Sequence, residues 1–124
     1  MDPVLLEEAI KDRMEKTGKK PKAIVPVALY GMPYDCERIM EIANRYDIPV
    51  VEDAAEGSKF DGRVLGTFGK FGVLSFNGNK MITTSGGGAL ICRNAEDKNT
   101  IMWYATQARD AYPYYQHTAI GYNY

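Results

Sequence analysis

Two apolar runs on either side of an amphipathic helix restrict the fold of this chain more than any other feature. Residues 23–29 are continuously apolar, and residues 48–53 form a second short run that ends in two acids. Between them, residues 36–46 carry apolar side chains at helical spacing, and Asp35 can cap that helix. Strand, helix and strand joined by short links predict a βαβ unit with parallel strands. Ligands of such sheets bind at the carboxyl ends of strands, which is where Asp53 lies.

The same reasoning extends along the rest of the chain. The run at 23–29 predicts a strand buried on both faces, although Pro26 indicates an edge position or a bulge. We expect a helix at 3–17, with Asp2 as its N-cap and Gly18 as its C-terminal stop. A second helix is expected at 95–109, with Asn94 as its N-cap and acids in its first turn, and a loop from residue 110 onward. The first helix should have a broad apolar face, formed by Val4, Leu5, Ala9, Ile10 and Met14.

The region between residues 57 and 72 contains five glycines, which favour short β segments and turns over helix. Strands are expected at 72–76 and 89–92. Residues 81–84 are expected to be extended, and the turn at 85–88, Ser-Gly-Gly-Gly, suggests a hairpin-like return from them to the strand at 89–92. The sequence therefore predicts an α/β domain with a mostly parallel sheet and flanking helices.

Composition excludes several functional classes. The chain has 124 residues, a net charge of −1 and a pI near 5.8, so bulk charge does not favour nucleic acid or a membrane surface. No apolar run approaches the roughly 18 residues that span a bilayer, and the start does not resemble a secretory signal. Cys36 and Cys92 lack metal-ligand spacing, and we expect free thiols, no metal and a cytoplasmic protein. The single histidine, His117, has no nucleophile motif to serve and is expected to pack in a loop.

Lys80 and Asp53 are the strongest candidates for chemistry. Lys80 follows an apolar strand and a small-residue turn, with no other charge between Lys70 and Arg93. A lysine amine can form a Schiff base with the aldehyde of pyridoxal phosphate. A carboxylate such as that of Asp53 can keep the pyridine nitrogen of that cofactor protonated.

Each of these residues also has a simpler interpretation. A lone lysine is usually a solvated surface charge, and an acid at a strand end is often a helix cap. Ser75 and the glycines at 86–88 could bind a phosphate through a hydroxyl and backbone N–H groups, but a glycine triplet is more often plain hairpin geometry. Neither a Walker motif nor a dinucleotide-binding glycine motif follows the first strand.

Several motifs together resemble the DegT/DnrJ/EryC1/StrS family of sugar aminotransferases. The resemblance covers nearly the whole chain. It rests on the segments Leu29–Pro33, Glu52–Glu56, Gly66–Gly69, Ser75–Gly88 and Ile120–Tyr124.

The resemblance implies part of the large domain of a fold type I, aspartate aminotransferase-like enzyme that depends on pyridoxal phosphate. By the same resemblance, Lys80 carries the cofactor and moves the proton, and Asp53 pairs with the ring nitrogen. Glu56 lies beside the ring, Ser75 binds the phosphate, and Asn123 reaches the phosphate of the partner subunit in a homodimer. The implied reaction moves an amino group, with glutamate as the expected donor, to a nucleotide-linked 4-keto-6-deoxy sugar for surface glycans.

The resemblance also sets an expectation for domain organisation. Residues 1–124 match one segment of the large domain, and we expect the N-terminal part and the small C-terminal domain of the family to be absent. Turnover by the isolated chain should then be low. Two alternatives remain open: an inactive remnant that only self-associates, and a small flavodoxin-like binding domain. The segment 105–110 looks closest to members that aminate UDP-linked N-acetylated sugars.

Overall fold

The computed structural model describes residues 1–57 and 59–123; Ser58 and Tyr124, the latter at the end of the last resembling motif, lie outside them. The chain divides into two compact units, Met1–Ile91 and Cys92–Tyr124. The helices are α1 (Pro3–Thr17), α2 (Cys36–Arg45) and α3 (Ala95–Ala105). The strands are β1 (Val51–Asp53), β2 (Lys59–Phe60), β3 (Arg63–Val64), β4 (Phe71–Ser75) and β5 (Gly88–Cys92).

Helix α1 begins and ends where its capping residues predict. The Asp2 carboxylate accepts hydrogen bonds from the backbone N–H groups of the first helical turn, and Gly18 ends the helix in the left-handed conformation. The expected broad apolar face is wrong, because Ile10 is buried whereas the side chains of Val4, Leu5 and Met14 are exposed. Helix α1 packs on α2, where Glu7 also binds Arg45 and Tyr46, so only a narrow stripe of α1 is covered.

The predicted parallel arrangement of the βαβ unit is confirmed, but its first strand is reduced to two isolated bridges. Ile24 pairs with Val50 and Val27 pairs with Asp53, both in parallel. Between these bridges Pro26 has no N–H to donate, which interrupts the ladder.

The prediction that this first run is buried on both faces is wrong. Ile24, Pro26 and Ala28 are buried, whereas the alternating Val25 and Val27 are exposed. Among the described residues the run borders only β1, so one of its edges and one of its faces remain uncovered. The edge position indicated by Pro26 is confirmed.

The main sheet has the strand order β1-β4-β5, and β1 runs parallel to β4. In their register Glu52 lies opposite Gly72, and Asp53 lies opposite Val73. Strands β4 and β5 are neighbours, and β2 and β3 form a separate two-stranded antiparallel hairpin. Residues 81–84, predicted to be extended and to pair with β5, form a bend and a loop instead. Helix α2 packs its buried face, which includes Ile39, Ile42 and Ala43, into the core of this unit.

Two glycines in this unit allow backbone segments to approach closely. A Cβ at Gly72 would lie 2.1 Å from the carbonyl oxygen of Gly66. A Cβ at Gly69 would lie 2.6 Å from the carbonyl oxygen of Val50. Gly69 therefore lies directly against the backbone of Val50, and Gly72 against that of Gly66, with no room for a side chain at positions 69 and 72.

In the second unit, α3 has Asn94 as its N-cap and acids in its first turn, as predicted. The predicted extension of this helix to residue 109 is wrong, because the helix ends at Ala105. Gln107 and Ala108 have φ angles of 72° and 50°, which a right-handed helix excludes. Arg109 instead forms an isolated bridge with His117 in the loop that follows.

A search of residues 1–57 and 59–123 finds no helix with the length and apolar character that a membrane span requires.

The close approach at Gly72 makes this position sensitive to a single methyl group. We expect Gly72→Ala to lower the free energy of unfolding by about 1–3 kcal/mol, because backbone atoms must move to accommodate the methyl group. Gly86→Ala is the matched control. A Cβ at Gly86 would meet nothing within 4 Å, so its effect should stay within about 0.5 kcal/mol. Urea unfolding of both variants measures the difference, and equal stabilities would contradict the packing described here.

Candidate functional site

A cleft of about 270 Å³ lies at the carboxyl ends of β1 and β4. Its walls come from the residues after β1, from the β2–β3 hairpin, and from the end of β4 with the turn that follows. Apolar side chains dominate the lining. The lining residues are Ala54, Ala55, Glu56, Gly57, Lys59, Val64, Leu74, Ser75, Phe76, Lys80, Met81 and Ile82.

Lys80 lies within this cleft and not on the open surface. The Lys80 side chain is 17% exposed, and its Nζ forms a short ion pair with Oε1 of Glu56. The turn before it is closed by a hydrogen bond from the Lys80 N–H to the carbonyl of Asn77. The interpretation of Lys80 as a solvated surface charge is therefore wrong. The sequence did not indicate its pairing with Glu56.

Ser75 ends β4 and also lines the cleft. Its hydroxyl oxygen accepts a long hydrogen bond of 3.4 Å from the N–H of Asn77, so its own proton remains available to a ligand. The turn at 85–88 lies between β4 and β5, and the Gly87 carbonyl accepts from the N–H of Phe76. This bond gives the glycine triplet a structural role in the connection between β4 and β5.

Asp53 is the last residue of β1 and is half-buried. Its backbone N–H donates to the Pro26 carbonyl at 2.9 Å, and its carbonyl accepts from Ala28 at 3.0 Å. The carboxylate accepts from the N–H of Ala55 at 3.2 Å, a contact within its own turn. Asp53 does not line the cleft, but the two residues that follow it do. Residues 54–57 form a turn and no helix begins there, so the helix-cap interpretation of Asp53 is wrong.

Asn123 belongs to the second unit, where it forms an isolated antiparallel bridge with Thr106. Beside it, the N–H of Gln107 donates to the Tyr122 carbonyl. His117 Nδ1 lies 2.9 Å from the Gln107 carbonyl, in agreement with a packing role in a loop. These contacts hold the strand-like end of the chain against the residues that follow α3.

Sequence reasoning missed Glu52, the charged side chain that is completely buried. Its Oε1 accepts from the backbone N–H groups of Phe68 and Gly69, at 2.6 and 2.5 Å. Its Oε2 accepts from the N–H of Gly66 at 2.8 Å and from the Tyr34 hydroxyl at 2.6 Å. A buried carboxylate needs such donors, because desolvation otherwise penalises its charge heavily.

A signal for Glu52 was present in the sequence. Side chains alternate between the faces of a strand, so Val50, Glu52 and Ala54 share one face and Asp53 takes the other. Val50 and Ala54 are small apolar residues typical of a core face, and the structure buries all three. An acid between two core residues indicates a buried, multiply bonded carboxylate.

The Cys36 thiol and the Tyr34 hydroxyl, which lie near Glu52, both have raised pKa values. Burial raises the pKa of the Cys36 thiol to about 11, and the charges of Glu52 and Asp35 act in the same direction. Burial also raises the pKa of Tyr34 well above its usual value, and the hydrogen bond to Glu52 adds to the shift. Tyr34 therefore remains a hydrogen-bond donor to Glu52 at any ordinary pH. Cys36 and Cys92 are both free, as predicted.

Known proteins that are similar to this chain include aminotransferases. Residues 1–124 match the DegT/DnrJ/EryC1/StrS aminotransferase family. EpsN of Bacillus subtilis (strain 168), provisionally named a pyridoxal phosphate-dependent aminotransferase, is 44% identical over 126 residues, which cover 100% of this chain and 32% of EpsN. GDP-perosamine synthase of Escherichia coli O157:H7 is 40% identical over 118 residues, covering 94% of this chain and 32% of that protein.

Solved structures agree. A DegT DnrJ EryC1 StrS aminotransferase from Brucella abortus superposes with a TM-score of 0.89 at 34% identity, covering 99% of this chain and 34% of that one. The fold is therefore that of the fold type I aminotransferases, as predicted, and the flavodoxin-like alternative is wrong. The chain spans about a third of the length of the relatives it matches.

The raised pKa of Cys36 has a consequence for stability at high pH. In the unfolded chain this thiol ionises near its ordinary value of 9.0, whereas in the folded protein it holds its proton to about pH 11. Its stabilising contribution is therefore complete below pH 9 and is lost as pH rises toward 11. We expect the difference in unfolding free energy between wild type and Cys36→Ala to shrink over this range. Denaturant titrations at pH 8, 9, 10 and 11 test this, and a difference that stays constant with pH would contradict it.

Proposed function

Because this chain belongs to the DegT/DnrJ/EryC1/StrS aminotransferase family, we propose that it forms the cofactor-holding part of a pyridoxal phosphate-dependent sugar aminotransferase. One observation carries the proposal: the amine of Lys80 lies inside an apolar cleft, at the carboxyl edge of a parallel sheet, paired with a carboxylate. Lysines are rarely buried unless they are paired, and a paired lysine within a cleft is a candidate for a functional site.

The residues that line the cleft, with Asp53 just outside its lining, fit a pyridoxal phosphate group. Leu74, Phe76 and Ile82 offer apolar walls for a flat aromatic ring, and Lys80 offers a primary amine for an aldehyde. Ser75 offers a hydroxyl for a phosphate oxygen. Asp53 offers a carboxylate whose contact within the chain comes from Ala55, which leaves acceptor capacity for a protonated ring nitrogen.

When bound, pyridoxal phosphate supplies an aldehyde that captures amines and a ring that withdraws electrons from the reacting carbon. In the proposed site Lys80 is the attachment point and later the group that moves the proton. Glu56 holds the Lys80 amine within the cleft. The negative charge of Asp53 would stabilise the protonated form of the ring nitrogen. Ser75, together with Asn123 across a homodimer, would hold the phosphate.

For the whole enzyme we propose transfer of an amino group from glutamate to a nucleotide-linked 4-keto-6-deoxy sugar. The support is the likeness to a relative named for GDP-perosamine. Participation in surface glycan synthesis, a homodimeric state and a cytoplasmic location belong to the same proposal.

A second candidate function, a module that only self-associates, is supported by the uncovered edge at residues 24–32. Five apolar side chains there are between 46% and 89% exposed: Val25, Val27, Leu29, Tyr30 and Met32. An apolar patch next to an unpaired strand edge favours association between chains. Cofactor binding distinguishes the two candidates, because self-association alone needs no reactive lysine.

The proposal predicts selective chemistry at Lys80. Addition of pyridoxal phosphate should give an absorbance band above about 400 nm, and borohydride should then fix about one adduct per chain, on Lys80. Lys80→Arg keeps the positive charge but lacks a primary amine, so the band and the adduct should disappear. Peptide mass mapping after reduction measures the site and the stoichiometry.

Lys59→Arg is the control for this experiment, because Lys59 lines the same cleft. It should label as the wild type does. Adducts spread over surface lysines, or undiminished labelling of Lys80→Arg, would refute the assignment of Lys80 and favour the self-associating module.

The proposal also predicts a role for charge at Asp53. Asp53→Asn preserves size but removes the negative charge opposite the ring nitrogen, a charge-assisted hydrogen bond worth about 1.5–3 kcal/mol. We expect pyridoxal phosphate to bind at least about tenfold more weakly, as measured by absorbance titration. Asp61→Asn, in the exposed turn between β2 and β3, is the control and should bind normally. Equal affinities for the two variants would exclude Asp53 as the ring partner.

A further inference from the structure

Glu52 ties together three segments that are distant in the sequence. It belongs to β1, and its hydrogen bonds reach Tyr34 at the entry to α2 and the backbone from Gly66 to Gly69 after β3. The four donors that contact it are neutral: one phenol and three amides. Its charge is therefore stabilised by oriented dipoles, a preorganised arrangement that holds each donor in place.

The segment that Glu52 holds is next to the wall of the cleft. Val64 lines the cleft, Leu65 is completely buried, and Gly66 donates to Glu52. A Cβ placed on Gly66 would lie 3.4 Å from the Cβ of Ala54, which also lines the cleft. The bond from Gly66 to Glu52 thus connects two walls of the cleft through one carboxylate.

Asp53 follows Glu52 directly in β1. The Val50 carbonyl accepts from the N–H of Lys70 at 2.8 Å, and the Glu52 carboxylate accepts from Gly69, so this loop holds both the backbone that leads into β1 and the Glu52 side chain. This double attachment restrains the rotation of β1 about its axis. It thereby fixes the direction of Asp53 on the opposite face.

We propose that Glu52 is a positioning residue for the cofactor site: it sets the orientation of Asp53 and the wall at Val64 without touching the cofactor. This inference rests on the proposed function. A residue that acts in this way should affect cofactor affinity and the state of the bound ring, as well as stability.

Glu52→Gln tests this with the smallest possible change. The amide keeps one acceptor oxygen and replaces the other with an NH₂ donor. At the Oε2 position the Tyr34 oxygen can accept from that NH₂ group, but the N–H of Gly66 then faces a donor. If the NH₂ group instead took the Oε1 position, it would face two N–H donors, those of Phe68 and Gly69. The first orientation is the better one, so the damage should be concentrated at Gly66.

The experiment combines two measurements on wild type, Glu52→Gln and Tyr34→Phe. Amide exchange by NMR should show at least about tenfold faster exchange at Gly66 in Glu52→Gln, with α2 still protected. Pyridoxal phosphate titration under conditions where each variant is folded should show affinity weakened by at least about tenfold. The absorbance band of the bound cofactor should also shift, because the ring nitrogen no longer meets a correctly directed carboxylate.

A control variant and the smaller change at Tyr34 make the result decisive. Glu41→Gln, at an exposed position of α2, makes the same chemical change away from the network and should match wild type in every measurement. Tyr34→Phe removes one donor and leaves three backbone donors, so its effect should have the same direction and a smaller size. It provides the test if Glu52→Gln does not fold.

The outcomes separate the inference from the function it rests on. If wild type binds the cofactor on Lys80 and the network variants keep its affinity and band, Glu52 is only structural and the inference is overturned, even if Gly66 exchanges faster. If wild type itself does not bind the cofactor on Lys80, the proposed function fails and the positioning role falls with it. Weakened binding with a shifted band, in the network variants alone, supports the inference.

Discussion

The first unit depends on the burial of one carboxylate, that of Glu52. A charge without solvent is unfavourable unless donors surround it, and here the donors come from Tyr34, just before α2, and from the glycine-rich segment after β3. None of these segments can satisfy Glu52 alone, so the interaction forms only when all are correctly placed. A one-residue slip of β1 would bury Asp53 and expose Glu52. The hydrogen-bond network therefore selects the register that keeps Asp53 on the face opposite Glu52.

Backbone donors can converge on Glu52 because of the glycines around it. Gly66 has a φ of 88°, a conformation that favours glycine, and Gly69 and Gly72 lie too close to neighbouring carbonyls to carry side chains. The glycine-rich region, for which the sequence predicted short β segments and turns, thus supplies the backbone donors of the buried acid. Its shape follows from the need to bring several N–H groups to one point.

Local signals in the sequence predicted much of this structure. Asp2 and Gly18 bound α1, and Asp35 and Asn94 cap the next two helices, because capping depends on atoms a few residues apart. The end of α3 could not be found in this way. Ala108 is fully buried with a positive φ, and a Cβ on Gly121 would lie 2.1 Å from the Gln107 carbonyl carbon. The close packing of Gly121 against Gln107, fourteen residues earlier in the chain, therefore ends this helix.

The distinction between local signals and contacts of distant residues also applies to the cleft. The position of Lys80 in a cleft could be predicted, because an isolated cation between apolar segments is unusual. Its pairing with Glu56, 24 residues away, depends on the turn after β1 and the turn after β4 meeting at one edge of the sheet. Three acids lie within five residues, and the fold separates their surroundings: Glu52 is buried among amides, Asp53 keeps acceptor capacity, and Glu56 neutralises the lysine. Strand alternation, followed by the end of the strand, is sufficient to produce that separation.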